Sequence, residues 1–190
     1  MESPRYYSHV LIIGSGLAGC SAALTLADQG YDVSLLTSLE SLDGGNSEKA
    51  QGGIVFSTNK EDQRALEKDM YIAGHRYNFG KAVRFLATQG GEAVQKMLVD
   101  RLHVPFDKDP EHPERWDFTL EGGHSAPRIV HCADYTGKAI MEAMHGAILR
   151  HPRGRVLTQR SAVDLITTEH HATPTSYRYH LRNQCVGAYV

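Results

Sequence analysis

The stretch that most restricts what this chain can fold into is Gly14-Ser15-Gly16-Leu17-Ala18-Gly19, three glycines set between a short apolar run, His9 to Ile13, and a segment of helical periodicity. The run before it is rich in β-branched residues and reads as a strand. After it Leu17, Ala18, Ala22, Ala23, Leu26 and Ala27 recur at helical spacing, and Gly30 supplies a stop. Tyr31 to Thr37 reads as a second strand and closes a β-α-β unit of the length a parallel crossover needs. An α/β fold of Rossmann type follows. The glycines have separate tasks in such a unit: Gly14 permits the tight turn, Gly16 lets a pyrophosphate approach the backbone, and Gly19 lets the helix pack on the strand. The helix start then presents N–H groups and a positive dipole end to the phosphates. The dinucleotide fingerprint also requires an acidic residue at the end of the second strand, but Thr37 and Ser38 stand there and the nearest carboxylate is Glu40. That departure counts against an ordinary NAD site and leaves hydroxyl and backbone contacts to serve an adenosine ribose.

Composition narrows the partners. At 190 residues and 41% hydrophobic content the chain is long enough for one domain of ordinary size or most of a larger one. A formal charge of -2, from 20 Lys and Arg against 22 Asp and Glu, gives no reason to expect a nucleic acid or an anionic membrane as partner. No stretch is long and apolar enough to span a bilayer, and the N-terminus lacks the pattern of a secretory signal. Cys20, Cys132 and Cys185 are odd in number and far apart, which fits buried thiols in a reducing compartment and so a cytoplasmic location. The eleven histidines are scattered without metal-ligand spacing, so no metal site is expected.

The remaining chain reads as alternating helices, loops and strands. The segment from Ser41 to Ser57, "SLDGGNSEKAQGGIVFS", is a glycine-rich loop leading into a short strand, Ile54 to Ser57. Helical patterns follow over Lys60 to Ile72, with Leu66 and Met70 inward, and over Lys81 to Leu102, with Val83, Phe85, Leu86, Val94, Met97 and Leu98 on the apolar face. Three prolines and many charges mark Val104 to Phe118 as a loop over Trp116. A helix is expected from Thr136 to Arg150, capped by Asp134 or Thr136. Arg155 to Thr158, Ser161 to Thr168, Tyr177 to Leu181 and Cys185 to Val190 read as strands. Within "LEGGHSAPR", taken alone, Glu121 is a solvated loop glutamate and Arg128 a partner in an ordinary surface ion pair.

Six motifs in order resemble one family. They are Val10 to Gly19, the Thr37-Ser38 pair, "NSEKAQGGI" from Asn46 to Ile54, "EGGHS" from Glu121 to Ser125, "HCADYTGKAI" from His131 to Ile140, and "SAVDLI" from Ser161 to Ile166. Together they resemble the N-terminal part of the L-aspartate oxidases, members of the succinate dehydrogenase and fumarate reductase flavoprotein superfamily. The resemblance implies FAD, its pyrophosphate along Gly14, Ser15, Gly16, Leu17, Ala18 and Gly19, with Thr37 and Ser38 near the adenosine. It implies that Asn46, Ser47, Ala50, Gln51, Gly52 and Gly53 line the flavin and that Ala162 and Val163 meet the adenine through main-chain groups. Covalently flavinylated relatives carry a histidine before the hydroxyl residue of that loop; Asn46 holds the matching position, which implies noncovalent FAD. Glycine suits such a loop because a flat ring must lie against backbone that side chains would hold off.

The same resemblance gives Glu121 a role. It implies that the stretch lies on the substrate side of the flavin, where a carboxylate can accept a charge-assisted hydrogen bond from the ammonium that aspartate has and succinate lacks. The implied reaction is oxidation of L-aspartate to iminoaspartate, with dioxygen or fumarate as electron acceptor and quinolinate synthase, on the route to NAD, as consumer of the product. The dicarboxylate-specific relatives lack the Glu-Gly-Gly-His-Ser pattern. Residues 1–190 correspond to an incomplete FAD-binding domain, and the capping and helical C-terminal domains of the family have no matching positions. A succinate or fumarate flavoprotein relative and a catalytically silent FAD-binding fragment stand as the alternatives.

Overall fold

The structure, a computed structural model, describes residues 4–57, 59–171 and 182–190. In chain order its elements are β1 (Val10–Ile13), α1 (Leu17–Asp28), β2 (Val33–Leu36), β3 (Ile54–Val55), α2 (Lys60–Ala73), α3 (Gly80–Val94), β4 (Ile129–Val130), α4 (Thr136–Arg150), β5 (Gly154–Leu157), β6 (Asp164–Thr167), α5 (Thr168–His171) and β7 (Cys185–Tyr189). The expected strand from Tyr177 to Leu181 lies outside the described residues. The chain divides into two compact units, Met1–Gly45 with His145–Val190, and Asn46–Met144, so the second boundary falls within α4.

In the first unit β1, β2 and β5 form a parallel sheet in the order β1-β2-β5, with Val10 opposite Val33 and Leu36 opposite Leu157. The central strand β2 has all four residues buried, which is why Val33-Ser34-Leu35-Leu36 shows no period-2 alternation. Helix α1 turns Cys20, Ala23, Leu24 and Ala27 inward; three of the four are small, and a close approach to the sheet follows. Ala18 and Ala22, on the expected stripe, are exposed. The helix ends at Gly30 as expected, with the Gly30 N–H on Ala27 O and the Tyr31 N–H on Leu26 O, the paired bonds of a Schellman stop. β6 and β7 form a separate antiparallel pair with a bulge at Ile166 and Thr167.

In the second unit β3 and β4 pair antiparallel over two residues each. Asn59 caps α2, its Oδ1 accepting the Asp62 N–H at 2.8 Å, and Glu61 and Asp62 complement the dipole in the first turn. Helix α3 continues as a π-helical stretch over Gln95–Arg101, so the expected 81–102 helix is present with a change of winding. Its buried stripe is Val83, Ala87, Gly91 and Val94, which leaves the expected inward residues Phe85 and Leu86 58% and 53% exposed. Small residues decide that face: a Cβ on Gly91 would lie 1.9 Å from Ser57 O, so the helix comes too near the chain for a large side chain. Trp116 meets Phe106 edge to face at 6.0 Å with the Lys108 ammonium over its ring, as the expected loop requires.

Candidate functional site

The glycine turn of the first unit is built as its sequence demands. Gly14 has φ 109°, a conformation that disfavours any side chain, and its N–H donates to Leu36 O at 2.8 Å, tying the turn to β2. A Cβ on Gly19 would sit 1.9 Å from Gly14 O, so α1 packs on the turn only because that position is glycine. Ser15 is buried between these features. Its hydroxyl donates to Thr37 Oγ1 at 3.0 Å, and its carbonyl accepts from Cys20 Sγ at 3.2 Å and from His145 Nε2 at 3.3 Å. Burial pushes the Cys20 thiol up to about 11, so at neutral pH it keeps the proton it donates.

A diphosphate fits this turn on two observations. Gly16 is the N-cap of α1 and offers no side chain to the amides of the first turn, and that turn contains no carboxylate. The positive end of the helix is therefore not neutralised by its own sequence. Leu17 is half-buried and Ala18 exposed at the same end. Thr37 is buried and committed to Ser15 and to the Leu39 N–H at 3.3 Å, whereas Ser38 beside it is exposed. Ala162 is exposed, and Val163 is 80% exposed with its N–H on Tyr189 O at 2.8 Å.

The loop expected to line a flavin lies in the second unit. Asn46, Ala50, Gln51 and Gly52 are exposed, and Ser47 and Gly53 are half-buried. The start of α4 clamps this loop: the Gly137 N–H donates to Ala50 O at 2.8 Å, and the Thr136 hydroxyl donates to Gln51 O at 3.3 Å. A Cβ on Gly137 would meet Ser47 O at 2.2 Å, so Gly137 is what lets the loop lie on the helix. Thr136, expected as a cap, is the first residue of the helix and also accepts the Cys132 N–H at 3.0 Å. The two glycines of the loop differ. Gly53 is held against β4, its Cβ position 2.7 Å from Val130 O, while Gly52 has open space around it.

Glu121 opens a turn closed by the His124 N–H on its carbonyl at 3.2 Å, with Gly123 at φ 85° supplying the left-handed corner. The side chain is exposed, and among the described residues its carboxylate makes no hydrogen bond or ion pair. Its neighbours along the chain are tightly bonded. Arg128, expected at the surface, is 1% exposed and donates through Nε to Asp62 Oδ1 and through Nη1 to Asp69 Oδ2, both at 2.8 Å. The Ser125 N–H and hydroxyl also donate to Asp69 Oδ2 at 2.8 Å each. Arginine has no acceptor, so His124 Nδ1, 2.9 Å from Nη1, accepts a hydrogen bond from it, and the N–H of the ring is on Nε2.

This cluster holds the Asp69 carboxyl below its ordinary range. Burial pushes it up, but the Ser125 N–H, the Arg128 hydrogen bond, the Ser125 hydroxyl and the Arg128 charge together outweigh burial. Arg128 is shifted upward in the same manner: burial works against its charge, and the hydrogen bonds and charges of Asp69 and Asp62 prevail. Sequence reasoning missed the cluster because Asp62 and Asp69 lie on the polar side of an amphipathic helix pattern. Their seven-residue separation, two helical turns, was the available signal.

Among the described residues no group of three His, Cys, Asp or Glu side chains can hold a metal ion, and no helix is long and apolar enough to cross a membrane.

Residues 9–190 match the family model described as FAD binding domain. The chain is 37% identical to an L-aspartate oxidase of Pseudomonas aeruginosa over 99% of its own length and 34% of the relative's. It is 39% identical to an L-aspartate oxidase of Vibrio cholerae over 95% of this chain and 32% of that one. It therefore spans about a third of the curated relatives it matches. Among solved structures it resembles a quinol fumarate reductase of E. coli, with a TM-score of 0.75 and 17% identity over 85% of this chain and 27% of that one. A flavocytochrome c3 fumarate reductase gives 0.72 and 24% over 86% and 28%. At those identities the likeness is one of fold.

Proposed function

The chain belongs to the FAD binding domain family, and from that membership we propose that it is the cofactor-binding portion of a flavoenzyme oxidising L-aspartate to iminoaspartate. The observation that carries the cofactor assignment is the glycine turn at an α1 terminus without first-turn carboxylate or side-chain cap. The substrate assignment is supported by the names of the relatives and by the unpaired Glu121. Bound FAD supplies the hydride acceptor. The chain supplies the rest: the turn from Gly14 to Gly19 seats the pyrophosphate, and Ser38 meets the adenosine ribose while Thr37 holds Ser15 from beneath. Ala162 and Val163 line the adenine side. Asn46, Ser47, Ala50, Gln51, Gly52 and Gly53 present backbone and small side chains to the flavin, and with asparagine at position 46 the attachment is noncovalent. Dioxygen or fumarate as acceptor, quinolinate synthase as consumer of the product, and a cytoplasmic location belong to the same proposal.

Purified protein incubated with FAD is expected to retain visible flavin absorption through gel filtration and to release the flavin on denaturation. Gly16→Val places a side chain where the pyrophosphate approaches. With about two charge-assisted backbone bonds lost, FAD affinity falls on the order of 100-fold. A folded wild-type protein that stays colourless defeats the cofactor assignment; a yellow Gly16→Val variant defeats the seat.

Glu121 acts on the substrate ammonium in this scheme. In a chain extended to the length of the relatives, Glu121→Gln is expected to reduce discrimination of aspartate over succinate by about 10- to 100-fold, the worth of one hydrogen bond between charged groups, with flavin content retained. Comparing kcat/KM for the two dicarboxylates checks this, and an unchanged ratio removes Glu121 from the role.

A further inference from the structure

We infer that His145 is a positioning residue for the cofactor's pyrophosphate, acting through the Ser15–Gly16 peptide. The inference rests on the proposed FAD site and adds to it a residue that does not touch the ligand.

His145 is 6% exposed and lies two-thirds of the way along α4, 130 residues from the turn it contacts. A carbonyl oxygen only accepts, so the 3.3 Å contact between His145 Nε2 and Ser15 O fixes Nε2 as a donor. Cys20 Sγ donates to the same oxygen at 3.2 Å, and the Ser15 hydroxyl is held by Thr37. The Ser15 peptide unit is thus gripped from α4, α1 and the end of β2.

The consequence is one of direction. The peptide between Ser15 and Gly16 is planar and trans, as no cis bond occurs among the described residues, and in a trans peptide C=O and N–H point opposite ways. Fixing Ser15 O inward on His145 and Cys20 turns the Gly16 N–H outward, to the side where a phosphate lies at the start of α1. A rotated peptide would present a carbonyl oxygen to an anion instead. Cys20 alone is a weak substitute, since a thiol is a poor donor. His145 Nδ1 is buried and, among the described residues, has no hydrogen-bond partner, so the bond from Nε2 to Ser15 O is the ring's one polar tether.

The test uses the 190-residue chain and three probes: FAD, ADP and adenosine. His145→Phe keeps the volume and removes the donor; FAD and ADP are expected to bind about 10-fold more weakly, the worth of one hydrogen bond, while adenosine, which lacks the pyrophosphate, binds as before. His145→Gln retains an N–H of similar reach and restores FAD affinity to near the wild-type value. A merely structural role would weaken adenosine and ADP together and would show as a matching loss in thermal unfolding. Should His145→Phe fail to fold, His145→Asn, too short to reach Ser15 O, carries the same expectation. Wild-type affinity for FAD and ADP in a folded donor-less variant overturns the inference, as does equal loss of adenosine or a glutamine variant no better than phenylalanine. A folded wild type that binds neither FAD nor ADP removes the cofactor assignment itself and this inference with it.

Discussion

Replacing Arg128 with methionine is expected to destabilise the second unit by about 3–5 kcal/mol, the effect of leaving a buried charged partner uncompensated. The magnitude follows from location. Arg128 is 1% exposed and is bonded at 2.8 Å to both Asp62 and Asp69, and the Asp69 side chain is itself 9% exposed. A surface pair would be worth about 0–1 kcal/mol, so the measurement decides between the two classes. Methionine keeps the volume of the stem and isolates the lost charge. The Ser125 contacts to Asp69 remain, and the Glu121 turn stays anchored at one point instead of two.

The acid dependence gives a second reading of the same substitution. The folded-state value of Asp69 lies below its ordinary 3.8. A lowered carboxyl contributes stability that is fully present above the unfolded value and lost as pH falls through the folded one. In Arg128→Met two of the downward influences are gone while burial still pushes the carboxyl up, so that contribution shrinks or reverses. The gap between wild type and variant is therefore widest near neutral pH and narrows as pH falls below the carboxylate range. Urea unfolding at neutral and acid pH checks both points. A neutral-pH difference below about 1 kcal/mol places the pair with exposed ones, and a gap that widens in acid contradicts the sign.

The first unit was legible in the sequence to a degree the second was not, for reasons that particular residues make clear. The β1-α1-β2 crossover announces itself locally, since a strand, a glycine turn and a helix of small apolar residues are consecutive, and each element forms within a residue or two of its expected bounds. β5 joins the same sheet beside β2 from more than a hundred residues away, and nothing in its short pattern specifies that neighbour. In α3, Phe85 and Leu86 satisfied an apolar period, yet Ala87 and Gly91 face inward, because a close helix contact selects small residues over hydrophobic ones. The site divides the same way. Gly14, Gly19 and the Glu121 turn follow from backbone requirements that the sequence states outright. Arg128, His145 and Gly137 act through contacts between distant segments, so neither composition nor spacing marks them, and Asp69 is marked by no more than its two-turn spacing from Asp62. Arg128 shows the size of the gap: taken alone it reads as a partner in an ordinary surface ion pair, and only the partners brought by α2 make its burial tolerable.

Gly19→Ala tests the most local of these requirements and carries the other large expected effect. The added Cβ would stand 1.9 Å from Gly14 O and 3.0 Å from Gly14 C, and both are backbone atoms that no rotamer change can move. Real contacts of this kind do not fall below 3.0 Å, so the gap must open by roughly 1.1 Å, the difference between 3.0 and 1.9. That shift drives α1 off the turn. It pulls Cys20 from Ser15 O and disturbs the hold that Ser15 keeps on Thr37. A single methyl is then expected to cost about 3 kcal/mol, the upper end for overpacking, even though alanine improves helix propensity by about 1 kcal/mol. FAD affinity falls with stability, because the moved element is the one whose N-terminus faces the pyrophosphate. Gly52→Ala supplies the contrast: that residue is exposed, a Cβ there meets nothing within 4 Å, and a change within about 0.5 kcal/mol is expected. Denaturant midpoints of the two variants measured side by side, with the flavin retention of Gly19→Ala against wild type, carry the decision. Gly19→Ala matching wild type in both would mean that α1 does not lie where the turn requires it, and the pyrophosphate seat would lose its geometry.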